Sequence, residues 1–239
     1  KSIRISEVDY VLSPKYSTTD LEITKVYDFE PEGWTIGNAP TDIPEDTTTD
    51  LDAIKKIENT YGNGLGTGLH NGHEWVDLGL SVKWATCNIG ANSPEEYGDY
   101  FAWGETSTKE TYDEDNCSTY GLSISQLQSQ GYIDSEGNLT AQYDAATANW
   151  GGSWRMPTKN ELNELINNCT WTWTTQNGVN GYNVEGPSGN SIFLPAAGYR
   201  DGSSLYYAGS SGYYWISTPK EYRDDRAYLL YFNSSFHGM

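Results

Sequence analysis

The strongest pattern of hydrophobic and polar positions begins after Pro157 and predicts an α-helix. Thr158 and Glu161 have the spacing of a capping box, in which each side chain bonds the backbone N–H of the other residue. A second, shorter helix is predicted over Asp144–Asn149, with Gly151 ending it. In the longer helix, four apolar residues fall on one face that we expect a core to cover: Leu162, Leu165, Ile166 and Cys169.

Short apolar runs on both sides of this helix predict β-strands. Upstream they are Trp75–Leu80, Ser81–Cys87 and Asp99–Trp103. Downstream they are Thr170–Thr175, Tyr182–Glu185, Ser191–Leu194, Tyr213–Ser217 and Ala227–Phe232. The proline and glycines of Gly186–Gly189 predict a hairpin turn between two of these runs. One main helix, short strands and long loops together indicate the α+β class.

Residues 1–73 differ in composition from the rest and predict an appended segment. Short strands are expected within residues 1–36, which are too few to bury a core of their own. A linker rich in Pro, Thr and Asp follows at residues 37–50, then a short helix capped by Asp50, then a flexible glycine-rich join at residues 62–72. The sequence therefore predicts an N-terminal strand and linker segment, 1–73, and a main domain, 74–239.

The main domain carries a series of motifs rich in aromatic residues and glycine. In order along the chain they are Trp75–Leu80, Lys83–Ala91, Tyr97–Glu105, Trp154–Thr158 with Glu161-Leu162, Leu194–Arg200, and Tyr214-Trp215 with Ser217-Thr218. In their residues and their order these motifs resemble the Fibrobacter succinogenes major paralogous domain, a family abundant in exported proteins of Bacteroides-type bacteria. The resemblance covers residues 74–239.

This resemblance implies a C-type-lectin-like fold that is also related to the formylglycine-generating enzyme. It further implies export to the periplasm or the cell surface, often on a lipid anchor or within an adhesin, and the family has no agreed activity. The family usually closes with a further strand, whereas this sequence ends at His237-Gly238-Met239, so we expect that strand to be absent, disordered or replaced. The enzyme's reactive cysteine pair lies toward its C-terminus, and no cysteine follows Cys169 here, so that chemistry does not transfer.

The charge of the chain argues against two classes of partner. There are 33 acidic and 14 basic residues, a formal net charge of −19, which repels nucleic-acid phosphates and anionic lipid. No apolar stretch approaches the ~20 residues of a membrane span. Cys87, Cys117 and Cys169 fit no metal-binding spacing, and the sequence leaves open whether two of them form a disulfide or all three are buried thiols.

The acidic run Asp113–Asn116 is the densest concentration of charge in the main domain. Ca²⁺ prefers carboxylate and carbonyl oxygens, so the weak candidate metal ligands are Asp113, Asp115 and Asn116. The run lacks the spacing and the glycine of an EF-hand loop, and a solvated acidic loop is the alternative reading. No other cofactor is indicated.

The main domain contains few residues that could form a catalytic site. Asp77, Asp99 and Glu105 lie beside aromatic residues and could serve as acids or bases, although such carboxylates also cap turns. A glycoside hydrolase would need two buried carboxylates facing one cleft. His70 and His73 lie in the glycine-rich join and are interpreted as linker residues, which leaves little for Ser–His or Cys–His chemistry. We therefore expect the protein not to be an enzyme.

The segment Tyr199–Tyr214 is dense in Tyr, Ser and Gly, the composition of antibody binding loops. The alternative is an ordinary strand–loop–strand with buried tyrosines. Together with the turn after Phe232, it supplies the candidate ligand-binding residues: Tyr199, Arg200, Asp201, Tyr206, Tyr207, Tyr213 and Asn233. The sequence thus predicts a non-enzymatic surface or periplasmic module that binds glycan or protein. A structural component of an adhesin, pilus or lipoprotein is the alternative, and a glycoside hydrolase is disfavoured.

Overall fold

A computed structural model describes residues 66–220 and 227–239. The chain separates after Leu69 into two units, residues 1–69 and 70–239. The strands, linker and helix predicted within residues 1–65 lie outside the described residues. No helix in the described part is long and apolar enough to cross a membrane.

The described residues form three α-helices and eleven short strands. The helices are α1 (Ile124–Ser129), α2 (Ala145–Trp150) and α3 (Lys159–Asn168), with a 3₁₀ turn at Glu114–Asn116. The first six strands are β1 (Thr67–His70), β2 (His73–Val76), β3 (Trp84–Ala85), β4 (Thr170–Gln176), β5 (Val179–Glu185) and β6 (Ser191–Pro195). The remaining five are β7 (Tyr199–Asp201), β8 (Ser204–Tyr206), β9 (Ser211–Pro219), β10 (Ala227–Asn233) and β11 (Phe236–Gly238).

The strands pair antiparallel in several small sheets, which confirms the α+β class. One sheet has the order β4-β5-β6, and the predicted hairpin closes it, with Glu185 opposite Ser191. A second sheet has the order β11-β10-β9, in which Tyr231 of β10 lies opposite Tyr213 of β9. Strands β7 and β8 form a separate hairpin.

Helix α3 supplies the centre of the main core. Leu162 and Leu165 are 1% and 0% exposed, and Ile166 and Cys169 pack against the same cluster from half-buried positions, as the periodicity predicts. The cluster draws its other buried side chains from several strands, among them Val184, Ile192, Ile216, Leu230 and Phe232. The capping box predicted at Thr158 and Glu161 is present. The shorter helix is capped by Asp144 and ends at Gly151, as predicted.

The strand predictions upstream of the helices are wrong in part. Asp99–Trp103 has no strand, and the two runs before it shrink to β2 and β3. Side chains instead satisfy the carbonyl groups that a sheet partner would have bonded. Tyr112 donates its hydroxyl proton to the Tyr100 carbonyl at 2.5 Å, and Thr119 donates to the Trp103 carbonyl at 2.7 Å. This segment can pack against the domain without joining a β-sheet, because these backbone carbonyls are still hydrogen-bonded.

The prediction of a flexible join at residues 62–72 is also wrong where that stretch is described. Residues 67–70 form β1, and a tight turn at Asn71-Gly72 leads into β2. Both turn residues have positive φ, 49° and 84°, which is the geometry of a type I′ hairpin turn. His70 and His73 are therefore ordered. The His70 Nε2 accepts the backbone N–H of Ser153 at 2.9 Å, and the His73 ring stacks on Trp150 at 4.3 Å.

Truncating the centre of the core tests this packing. We expect Leu165→Ala to lower the free energy of unfolding by about 2–5 kcal/mol, because the surrounding strands cannot close the cavity. Urea unfolding followed by Trp fluorescence measures the change. Leu205→Ala is the matched control, since Leu205 is 40% exposed and the same truncation should cost about 0.5 kcal/mol or less. Equal losses for the two variants would contradict the assignment of the core.

Candidate functional site

A large cleft of about 880 Å³ opens in the described part of the main unit. The volume falls within the usual range of ~300–1,000 Å³ for small-molecule sites. Its walls are unusually aromatic and include Tyr97, Tyr100, Phe101, Trp103, Tyr112, Tyr120, Tyr199, Tyr213, Tyr214 and Trp215. Most of these rings belong either to the strandless segment 97–112 or to the chain around β7 and β9, so the cleft lies where these two regions meet.

Long-range hydrogen bonds hold the two regions together. Tyr100 donates its hydroxyl proton to the Ala197 carbonyl at 2.6 Å. The Trp103 Nε1–H donates to the Ile216 carbonyl at 2.8 Å, and the Trp215 Nε1–H donates back to the Phe101 carbonyl at 3.1 Å. In each case the hydroxyl or indole N–H is hydrogen-bonded to a backbone carbonyl, which fixes the orientation of the ring. The apolar part of the ring then forms part of the cleft wall.

The hydroxyl of Tyr214 forms two further long-range hydrogen bonds beside the cleft. Its hydroxyl donates to the Pro195 carbonyl at 2.6 Å and accepts from the Asn88 side-chain amide at 3.3 Å. Burial raises the pKa of Tyr214, and burial also raises the pKa of Tyr100. Both phenols are therefore protonated donors near neutral pH, and neither serves as a base.

The predicted Tyr/Ser/Gly segment, residues 199–214, contains the β7–β8 hairpin and the start of β9, and two of its five tyrosines are exposed. Tyr206 and Tyr207 are 45% and 58% exposed at the end of β8. Gly198, with φ 69°, precedes β7 at a point where a Cβ would collide with the backbone of Tyr206 and Tyr207, so only glycine lets the hairpin fold back this closely. Beside it, the exposed Arg200 guanidinium lies 5.3 Å from the centre of the Tyr100 ring.

Tyr199 joins these exposed rings to the neighbouring sheet. Its ring centre lies 5.7 Å from that of Tyr206, 5.9 Å from Tyr207 and 4.9 Å from Tyr213. The chain of contacts continues from Tyr213 to Tyr231 at 5.0 Å and from Tyr231 to Phe236 at 5.9 Å. We call these six residues the aromatic row: Tyr206, Tyr207, Tyr199, Tyr213, Tyr231 and Phe236. Because Tyr199 and Tyr213 also line the cleft, the row and the cleft form one continuous candidate site.

Tyr207 adopts a backbone conformation that its residue type disfavours. Its φ is 56°, in the left-handed region that an aromatic residue enters at a cost of about 1–2 kcal/mol. The side chain gains little burial in return, since more than half of it is exposed. The turn after β8 holds this conformation, because the Tyr207 carbonyl accepts the backbone N–H groups of Ser210 and Ser211, both at 3.0 Å.

The structure brings most of the predicted ligand-binding residues together. Tyr199, Arg200, Asp201 and Tyr213 line the cleft. Asn233 lies at the β10–β11 turn, where its amide donates to the Tyr231 hydroxyl at 2.8 Å and its Oδ1 accepts the backbone N–H of Ser235 at 2.9 Å. Asn233 therefore holds a ring of the row in position. Tyr206 and Tyr207 complete the predicted set as members of the row itself.

Sequence reasoning missed part of both the row and the cleft. Tyr231 and Phe236 were not predicted, although Tyr231 alternates with the buried Phe232 and so had to face the other side of its strand. Trp215 was not predicted as a site residue either, and it is 37% exposed and lines the cleft. The sequence around Tyr100 and Tyr112 did not indicate that they line the cleft, because both lie in an irregular segment whose position depends on distant residues.

The candidate metal ligands have other roles. Asp113 caps the 3₁₀ turn by accepting the backbone N–H of Asn116 at 3.0 Å, and the Asn116 side-chain oxygen accepts from the Lys109 ammonium at 3.0 Å. Asp115 is exposed. Within residues 66–220 and 227–239 no three His, Cys, Asp or Glu side chains cluster as metal ligands would.

Two of the three candidate acid–base residues stabilise loops. Asp77 accepts the backbone N–H of Gly79 at 2.8 Å. Glu105 accepts the backbone N–H of Ser118 at 2.8 Å and pairs with Lys109 at 2.7 Å. The third, Asp99, is exposed in the cleft wall.

All three cysteines are free thiols and each is half-buried, so the structure has neither a disulfide nor the full burial that the sequence left open. Burial raises the pKa of both Cys87 and Cys169, so these two thiols are poor nucleophiles at neutral pH.

Comparisons of the chain with protein-family models, with curated proteins and with solved structures give no significant match. The resemblance to the Fibrobacter succinogenes major paralogous domain therefore stays a prediction from the motifs.

Two substitutions at Tyr207 separate its backbone strain from its ring. Glycine adopts a φ of 56° without penalty, whereas alanine keeps the clash of its Cβ. We expect Tyr207→Gly to be more stable than Tyr207→Ala by about 1 kcal/mol in urea unfolding, which reverses the usual order of these residues. The matched pair Tyr206→Gly and Tyr206→Ala should keep the usual order, with alanine the more stable. The usual order at both positions would contradict the strain.

Proposed function

We propose that the main unit is a recognition module that binds a glycan at the cleft and the aromatic row. The observation that carries this proposal is the aromatic row, which has exposed rings at both ends, is continuous with an aromatic cleft and contains one residue in a strained backbone conformation. A monomeric domain gains nothing in stability from keeping such rings in water. Exposed aromatic residues that continue into a pocket are typical of binding surfaces.

Sugars fit the chemistry of this site. The apolar C–H face of a pyranose packs on an aromatic ring, and its hydroxyls need donors and acceptors around the edge. The rim offers carboxylates at Asp99 and Asp201 and the guanidinium of Arg200. Tyr presents a large ring at little entropic cost, because its side chain has only two rotatable angles. The site therefore combines stacking area with hydrogen-bonding groups of both signs.

The proposed fold is C-type-lectin-like and the proposed location is the cell surface or the periplasm. The motifs of residues 74–239 support both statements through their resemblance to an exported family, and the antiparallel α+β architecture agrees with them. The proposed activity is non-enzymatic, since the four carboxylates that line the cleft, Asp99, Asp113, Glu114 and Asp201, are all exposed and none has the burial that tunes a carboxyl group for acid–base catalysis.

Calcium is not required in this proposal. Asp113 accepts the backbone N–H of Asn116, and the Asn116 side-chain oxygen accepts from the Lys109 ammonium, so a cation would have to displace those partners first. Stacking on the aromatic row gives the binding energy instead. Direct coordination of sugar hydroxyls by Ca²⁺ would be a different mechanism.

A glycan-array screen of the purified chain, run in Ca²⁺ and in EDTA, tests the proposal. We expect binding in both arms, and we expect the double variant Tyr206→Ala/Tyr207→Ala to lose at least about tenfold in affinity because two stacking rings are removed. Leu205→Ala is the control, since Leu205 is as exposed as its neighbour but belongs to neither the row nor the cleft.

Three other outcomes would count against the proposal. Loss of binding in EDTA would indicate a calcium site and contradict stacking as the source of affinity. Unchanged binding by the double variant would place the glycan elsewhere. If no glycan on the array binds, either in Ca²⁺ or in EDTA, the result would favour recognition of a protein or a role in surface assembly. A role in assembly predicts that the purified chain self-associates in analytical ultracentrifugation.

A further inference from the structure

We infer that the ligand is an uncharged, linear glycan several sugars long, bound along the aromatic row, and not a single terminal sugar held in the cleft. This inference rests on the proposed function and names the class of glycan. Four features of the described residues carry it: the regular spacing of the rings, the rotation of the ring planes, the exposure of both ends of the row and the sign of the surrounding charge.

The spacing of the rings is close to regular. The steps between ring centres along the row measure 5.7 Å from Tyr206 to Tyr199, 4.9 Å to Tyr213, 5.0 Å to Tyr231 and 5.9 Å to Phe236. Each step is similar to the length of one pyranose unit with its glycosidic oxygen. A single sugar covers one of these rings, whereas a chain can place successive sugars over successive rings.

The ring planes rotate along the row. Adjacent rings are inclined by 26°, 69°, 50° and 33° in the same order, so together they present a twisted surface instead of one flat platform. A polymer whose successive units turn about its axis can follow such a surface. A flat aromatic ligand or a crystalline polysaccharide face cannot contact all the rings at once.

The ends of the row are the parts most open to solvent. Tyr206, Tyr207 and Phe236 are 45%, 58% and 51% exposed, while Tyr199, Tyr213 and Tyr231 between them are partly buried. A site for one terminal sugar would concentrate its accessible rings at one point. Accessible rings at both ends, joined by partly buried ones, instead match a ligand that continues past the site in both directions.

Charge selects against acidic glycans. The cleft beside the row is lined by four carboxylates, Asp99, Asp113, Glu114 and Asp201, against Arg200 and Lys220. The whole chain has a formal net charge of −19, which adds repulsion at long range. Uronic, sialylated or sulfated chains would approach this surface against its field, whereas uncharged chains would not.

The length of the ligand provides the test. Isothermal titration of the full chain with neutral oligosaccharides of the type found on the array, from disaccharide to hexasaccharide, should show affinity rising at each step until the row is filled. Phe236→Ala should weaken the hexasaccharide by about tenfold and the disaccharide by less, because only the hexasaccharide has to occupy that end of the row. Leu205→Ala should change neither, and thermal melts should verify that both variants are folded.

The possible failures are distinguishable. If a disaccharide binds as tightly as the hexasaccharide and Phe236→Ala has no effect, the extended site is wrong while glycan recognition stands. If polygalacturonate binds more tightly than the neutral chains, the inference about charge is wrong. If no glycan of any length binds, the proposed function fails and this inference fails with it.

Discussion

Buried backbone groups that lack a sheet partner must be bonded by side chains, and this requirement organises the domain. The segment from residue 97 to residue 105 has no strand, yet Trp103 is buried and the other rings of the segment are half-buried. Leaving one buried carbonyl unpaired costs about 1–3 kcal/mol. Thr119 and Tyr112 bond carbonyls of this segment, and Trp215 bonds the Phe101 carbonyl from β9. The aromatic residues of the motifs therefore have a structural role, whatever they contribute to binding.

The same bonds prepare the site. A ring whose hydroxyl or indole N–H is bonded to backbone has lost most of its rotational freedom during folding, so a ligand that stacks on it pays little further entropy. Tyr100 and Trp103 illustrate this at the cleft, and Asn233 does the equivalent for Tyr231 at the far side of the row. Irregular segments can support a rigid site when polar side chains take over the role of a sheet ladder.

The sequence predicted the elements whose signals are local. Helix α3 has a capping box and a regular apolar face, and the β5–β6 hairpin has Pro and Gly in its turn, so neither depends on distant residues. The Asn-Gly turn at residues 71–72 is also a local signal, but the surrounding glycines concealed it. Asp99–Trp103 resembles a strand in composition because its rings are buried, and only the distant partners on β9 reveal that no ladder is present.

The candidate site likewise has one part that local sequence predicts and another part that it does not. Tyr199–Tyr214 was recognisable from composition, but Tyr231 and Phe236 join the row only through the register of β9, β10 and β11. Exposed rings along a sheet invite self-association as well as ligand binding. With a formal net charge of −19, two copies of this chain repel each other, while an uncharged ligand is not opposed. The balance of apolar surface and net charge therefore favours recognition of a neutral molecule over assembly through the row.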